Sequence, residues 1–172
     1  MKPLKRVFSA KPLTSLDFAA SARHQIRAEG VYDASAAEVF SAVSDPHSHT
    51  GWFPEVLHGS WLSGAPHGVG SRREMVLKFI AVRERIEAWV PGKHFALSLT
   101  EATLPLVRRQ LEDFRIEQIS PTQTRLVLTV YSEPSLVVGW LEFLFRPVFL
   151  KMYQDAARDL GTYLQKRAGS VH

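Results

Sequence analysis

Apolar and polar residues alternate with period two through most of the stretch between Gly59 and Ser132. Six segments carry the pattern: GSWLSG, SRREMVLKF, AVRERIEAWV, KHFALSLT, VRRQLEDFRIEQI and TQTRLVLTVYS. GAPHGVG, PGK, TLP and SPTQ separate them. Short alternating runs punctuated by Gly and Pro predict an antiparallel meander with one apolar and one wet face. The alternation sets Met75, Leu77 and Phe79 inside against Arg72, Glu74 and Lys78. It sets Ile86, Ala88 and Val90 inside against Arg83, Arg85 and Glu87, and Phe95, Leu97 and Leu99 inside against His94 and Ser98. Upstream, HQIRAEGVY (24–32) reads as one more strand.

Two short helices follow that first strand. In DASAAEVFSAVSD, Ser35 is a good N-cap, Glu38 stands at capping-box spacing, and Val39, Phe40 and Val43 form an apolar stripe. Asp45-Pro46 ends it. A second helix or turn is expected around TGWFPEV. The last element runs from about Val137 to Arg167, with a kink expected at Pro147. Its first half, LVVGWLEFLFRPVFL, is apolar on every side, yet Glu142, Arg146 and Pro147 interrupt it. It falls short of the roughly 20 apolar residues of a membrane span, so it is a helix covered on more than one side or facing a cavity. A curved sheet has one apolar face to bury, and only this helix is long enough to lie across it.

Composition narrows the classes without changing this picture. The 172 residues, 45% hydrophobic and 22% charged, suit one globular domain. The absence of cysteine excludes a disulfide scaffold and thiolate chemistry and suits a reducing cytoplasmic setting. Net charge is +4 without a Lys/Arg run, which gives nucleic-acid binding no support and leaves peripheral contact with an anionic membrane surface open. Residues 1–22 carry four basic side chains and one acid, Asp17, but no apolar core of a secretion signal. They are expected to lie as an arm on the domain, which spans 23–168, with 169–172 as a tail.

Four stretches in order carry a family resemblance: AAEVFSAVSDP followed by GWFPEV, then EAWVPGKHFAL, TQTRLVLTV and FRPVFLKMYQDAARDL. Together they resemble the START-like helix-grip (SRPBCC) superfamily, in particular its polyketide cyclase/dehydrase and lipid-transport family. The resemblance implies an α+β helix-grip fold, a curved sheet of about seven antiparallel strands around a long C-terminal helix. It also implies an interior cavity for a lipid, aromatic or polyketide-like molecule. The same fold hosts transport, binding, cyclisation and hydrolysis, so it names no activity.

Candidate chemistry sits where polar residues share the inner strand face. Alternation places Arg73 with Met75 and Leu77, Glu84 with Ile86, and Gln110 and Glu112 with Phe114 and Ile116. Arg73, Glu84 and Glu112 are the candidates to orient a polar ligand end or to act as acid and base, or else they form a structural ion pair. The expected apolar wall consists of Trp52, Phe53, Met75, Leu77, Ile86, Phe95 and Leu97, continued by Phe114, Ile116, Leu126, Leu128, Trp140 and Leu144. His47, His49 and His58 lie near Glu55 without helical metal-ligand spacing, and with His67 and His94 they are read as solvated loop histidines. No metal or other cofactor is expected. No GxSxG or phosphate-binding glycine pattern supports nucleophilic or nucleotide chemistry. The sequence leaves three readings: a carrier or sensor of a hydrophobic small molecule, a cyclase or dehydratase, and a membrane- or partner-associated module similar to coenzyme Q-binding members. It does not give the oligomeric state.

Overall fold

The computed structural model describes residues 7–11, 13, 16–136, 139 and 142–169, with side chains for all of these but 142–145. The strands are β1 (Phe8–Ser9), β2 (His24–Tyr32), β3 (Val56–Trp61), β4 (Arg72–Leu77), β5 (Ala81–Val90), β6 (His94–Ala102), β7 (Val107–Ser120) and β8 (Gln123–Pro134). They form one antiparallel sheet in the order β2-β8-β7-β6-β5-β4-β3, with β1 paired to β6 off that path. The helices are α1 (Phe18–Ser21), α2 (Ala36–Ser44), a 3-10 turn at Pro46–Gly51, and α3 (Glu142–Gly169). This is the helix-grip architecture that the family resemblance implies, with the long final helix on the meander's apolar face as the alternation requires.

α2 forms where its capping box predicts. Glu38 N–H donates to Ser35 Oγ at 3.3 Å, and Ser35 N–H donates to the Glu38 carboxylate at 2.8 Å. The second helix lies earlier than the TGWFPEV expectation. Asp45 ends α2 and at once caps the next turn by accepting from His47 N–H at 3.0 Å, with Pro46 at the first helical position. That turn packs onto the backbone of β3 at Gly59, where a Cβ would come within 2.1 Å of the Pro46 carbonyl oxygen. No side chain fits there.

α3 continues through Pro147 and ends near the expected residue; Val137, Val138, Trp140 and Leu141 lie outside the described residues. One stripe of the helix, Tyr153, Ala156, Leu160 and Leu164, is buried at spacings of three and four. The helix is fixed against β2: Tyr32 Oη donates to the Ala157 carbonyl at 2.8 Å, and the Tyr32 ring lies against Gly161. Among the described residues no helix is long and apolar enough to cross a membrane.

Three inside assignments and one outside assignment fail, each for a local reason. Phe79 is 85% exposed because β4 stops at Leu77, and Leu77 N–H turns to the Ile80 carbonyl. In β5 a bulge between Ile86 and Ala88 shifts the phase of the alternation. Ala88 therefore faces outward and Val90 is exposed, while Trp89 turns inward against Phe40, with ring centroids 5.2 Å apart. Ser98, expected on a wet face, is buried. The outer face is wet only in part: Leu13, Leu16, Phe18, Ala19 and Ala22 of the N-terminal segment cover Ala88, Ala96 and Leu111. The Arg109 guanidinium sits 4.9 Å from the Phe18 ring centre on that cover. β1 pairs Phe8 with Ala102 and Ser9 with Glu101, beyond the point at Ser98–Leu111 where β6 and β7 stop pairing.

Candidate functional site

Because α3 is anchored along β2, helix side chains fill the inner face of the sheet between β4 and β8 only in part. A cavity of about 690 Å³ occupies the remaining space, within the range of small-molecule sites. Of the expected apolar wall, Trp52, Phe53, Met75, Leu77, Phe114, Leu126 and Leu128 line it. Ile86, Phe95, Leu97 and Ile116 do not. They are packed in the solid core, where the Phe95 ring meets Phe40 at 6.3 Å and Trp89 at 5.7 Å. Trp140 lies outside the described residues, as does the Leu144 side chain. Phe79, Leu104 and Val148 are wall residues with large exposure and mark where the cavity opens.

The wall also bears a buried polar cluster. Arg73 on β4 and Glu84 on β5 stand directly opposite each other in the register. Arg73 Nε donates to the Glu84 carboxylate at 2.6 Å, with the two side chains 2% and 8% exposed. The Arg73 guanidinium also lies 5.5 Å from the centre of the Phe95 ring. Among the described residues its Nη1 has no hydrogen-bond partner, a costly state for a buried donor. From β7, Glu112 Oε1 accepts from Gln110 Nε2 at 3.0 Å and from Tyr153 Oη of α3 at 2.8 Å. All five residues line the cavity. The three charged candidates read from alternation thus come together in one cluster on its wall.

Burial, then the neighbouring Glu84 charge, pushes the Glu112 carboxyl up to about 7, against the opposing pull of its hydrogen bonds and of Arg73. Burial and the Glu112 charge raise the Tyr153 hydroxyl well above its usual value, so it stays a donor. The folded protein therefore holds a proton on Glu112 that the unfolded chain releases between the ordinary carboxyl range and about pH 7. Stability from this group is full below that window and lost as pH rises through it. Glu112→Gln keeps the shape and the accepted hydrogen bonds. It should raise unfolding free energy over the parent by about 2–3 kcal/mol at about pH 8, with the gain vanishing toward about pH 4. Paired urea titrations across that range measure the difference.

Of the histidines, His47 and His58 are exposed as expected, but His49 is buried and His67 and His94 are half-buried. His49 is 3% exposed and lines the cavity, with Nδ1 2.9 Å from the Asp45 carbonyl and its ring 4.6 Å from Trp52. Burial, then the Arg73 charge, holds it well below the usual imidazole range, so it is neutral. His67 stacks on Trp61 at 4.0 Å, and His94 Nε2 lies 2.6 Å from Asp113 Oδ1 on the outer face. Among the described residues no group of His, Asp or Glu is arranged to hold a metal ion. Sequence reasoning also missed Tyr153 as a polar group, although it belongs to the stripe of Ala156 and Leu160 that identifies the helix's inner side.

The profile of the family described as polyketide cyclase / dehydrase and lipid transport matches residues 23–165, and the chain belongs to that family. It is 25% identical over 131 residues to uncharacterized proteins of Mycobacterium tuberculosis and Mycobacterium bovis, covering 76% of this chain and 78% of each relative. The fold is shared with the Zhui aromatase/cyclase of a Streptomyces species, with TM-score 0.71, 15% identity and 84% and 95% of the two chains covered. It is shared also with a START superfamily protein of Mycobacterium smegmatis, with TM-score 0.65, 19% identity and 87% and 99% covered.

Proposed function

We propose that this protein binds a hydrophobic small molecule in the cavity between sheet and α3, holding its one polar end against the Arg73–Glu84–Glu112 cluster. The observation that carries this reading is a cavity of about 690 Å³ whose wall is mainly apolar and bears that buried cluster. Such a space rewards an apolar body, at about 25 cal/mol per Å² removed from water, and a few polar groups fix its orientation. Family membership supports the same class of ligand.

Leu128 lies on the cavity wall and is nearly buried. Leu128→Trp should fill cavity space and weaken binding of an apolar reporter dye by about tenfold or more while leaving the fold intact. Dye titration with circular dichroism as the folding control tests it. Unchanged dye affinity in a well-folded variant refutes the cavity as the binding site.

A second reading is favoured by Glu112. A carboxyl that titrates at about 7 and faces a cavity is matched to proton transfer near neutral pH. In that reading, the cyclase or dehydratase one, Glu112 moves a proton on a ligand whose oxygen Arg73 holds. The carrier reading needs only the cavity and one anchor.

A further inference from the structure

We propose that the polar cluster selects a neutral carbonyl oxygen, such as that of a ketone, ester or quinone, and discriminates against a carboxylate. The proposal rests on the binding reading above and deepens it.

An arginine in a lipid-sized cavity suggests an acid headgroup, but here the charge and the donor are separate matters. The charge of Arg73 is already balanced by Glu84, opposite it on the neighbouring strand at 2.6 Å. What is left is the Nη1 donor, buried on a side chain only 2% exposed and without a partner among the described residues. A donor without spare charge suits an uncharged acceptor. A carboxylate brought there would leave its own solvation and meet no uncompensated cation.

The groups that face this point from every side agree. Glu84 comes from β5, Glu112 and Gln110 from β7, Tyr153 from α3, and His49 from the 3-10 turn. Tyr153 and Gln110 are neutral donors already directed at Glu112 Oε1. His49 is uncharged. With Glu112 protonated the cluster carries no net charge, and with Glu112 ionised it carries one negative charge, so in neither state does positive charge await an anion. At the mouth, Lys78 and Lys151 are held by Glu55 and Asp155 at 3.3 and 2.8 Å, and Arg146, the other lining cation there, is exposed, so its charge is hydrated and screened. A carbonyl oxygen, in contrast, satisfies the orphaned Arg73 N–H at no cost in charge, and a protonated Glu112 supplies a second donor.

Displacement of an apolar reporter dye by three probes of equal chain length, a methyl ketone, a carboxylic acid and the parent alkane, tests the proposal at about pH 8, where a free carboxyl is ionised. The ketone should bind about tenfold or more tighter than the acid and measurably tighter than the alkane. Glu84→Gln combined with Glu112→Gln leaves Arg73 as the cluster's one charge and should reverse the order of ketone and acid. Glu112→Gln alone should keep it. An acid that matches or exceeds the ketone in the parent protein overturns the proposal whether or not the double variant folds. An alkane equal to the ketone also overturns it, while leaving the cavity as a binding site. Failure of all three to displace the dye overturns the binding reading itself.

Discussion

A chain that ends before Lys151 will not fold. The truncation removes Tyr153, Ala156, Leu160 and Leu164, the buried stripe of α3, together with the hydrogen bond from Tyr32 to the Ala157 carbonyl. Losing each large buried side chain costs about 2–5 kcal/mol, while a domain of this size is stable by roughly 5–15 in all. Much of the inner face of β2 would meet water as well, because α3 packs along it. Circular dichroism should show no cooperative thermal transition for residues 1–150, and the full chain should melt sharply. A truncated protein with a cooperative melt would refute the claim that α3 holds the sheet closed.

That helix also shows how much of the molecule can be read without coordinates. Its length, its stripe and the alternating strands before it left one way to bury the sheet's apolar face, so the helix-grip architecture was legible. So was the inward placement of Arg73, Glu84 and Glu112, because Arg73 and Glu84 sit in the unbroken β4–β5 register and Glu112 lies between the irregular ends of β7. Period two gives the wrong face past Ile86 for a reason absent from composition. The bulge that turns Ala88 outward and Trp89 inward is a matter of pairing with β6. His49 illustrates a second limit. PHSHTG is a polar loop by residue type, and its histidine is buried because the turn lies on the β3 backbone at Gly59, a long-range contact. A third limit divides wall from core. Alternation gives Phe95 and Phe114 the same inward direction, and only the positions of α2 and α3 decide that Phe95 meets Phe40 while Phe114 meets the cavity.

The same placement makes Arg73 the most sensitive polar position. Arg73→Ala would leave the Glu84 carboxylate buried in an apolar wall, with Glu112 beside it and the cation gone. Removing one partner of a buried ion pair costs about 3–5 kcal/mol, because the other charge is left uncompensated. The loss should be largest at about pH 8, where Glu112 is also ionised. Arg73→Met combined with Glu84→Leu removes both charges and keeps apolar volume in the wall. Such exchanges are often neutral or stabilising, so the double variant should recover most of the stability lost in Arg73→Ala. Urea unfolding of the parent, Arg73→Ala and the double variant measures this directly. Recovery of stability together with loss of the ketone preference would assign the pair to ligand recognition and not to holding the fold. If the double variant is as unstable as Arg73→Ala, the pair is part of what keeps β4 and β5 in register.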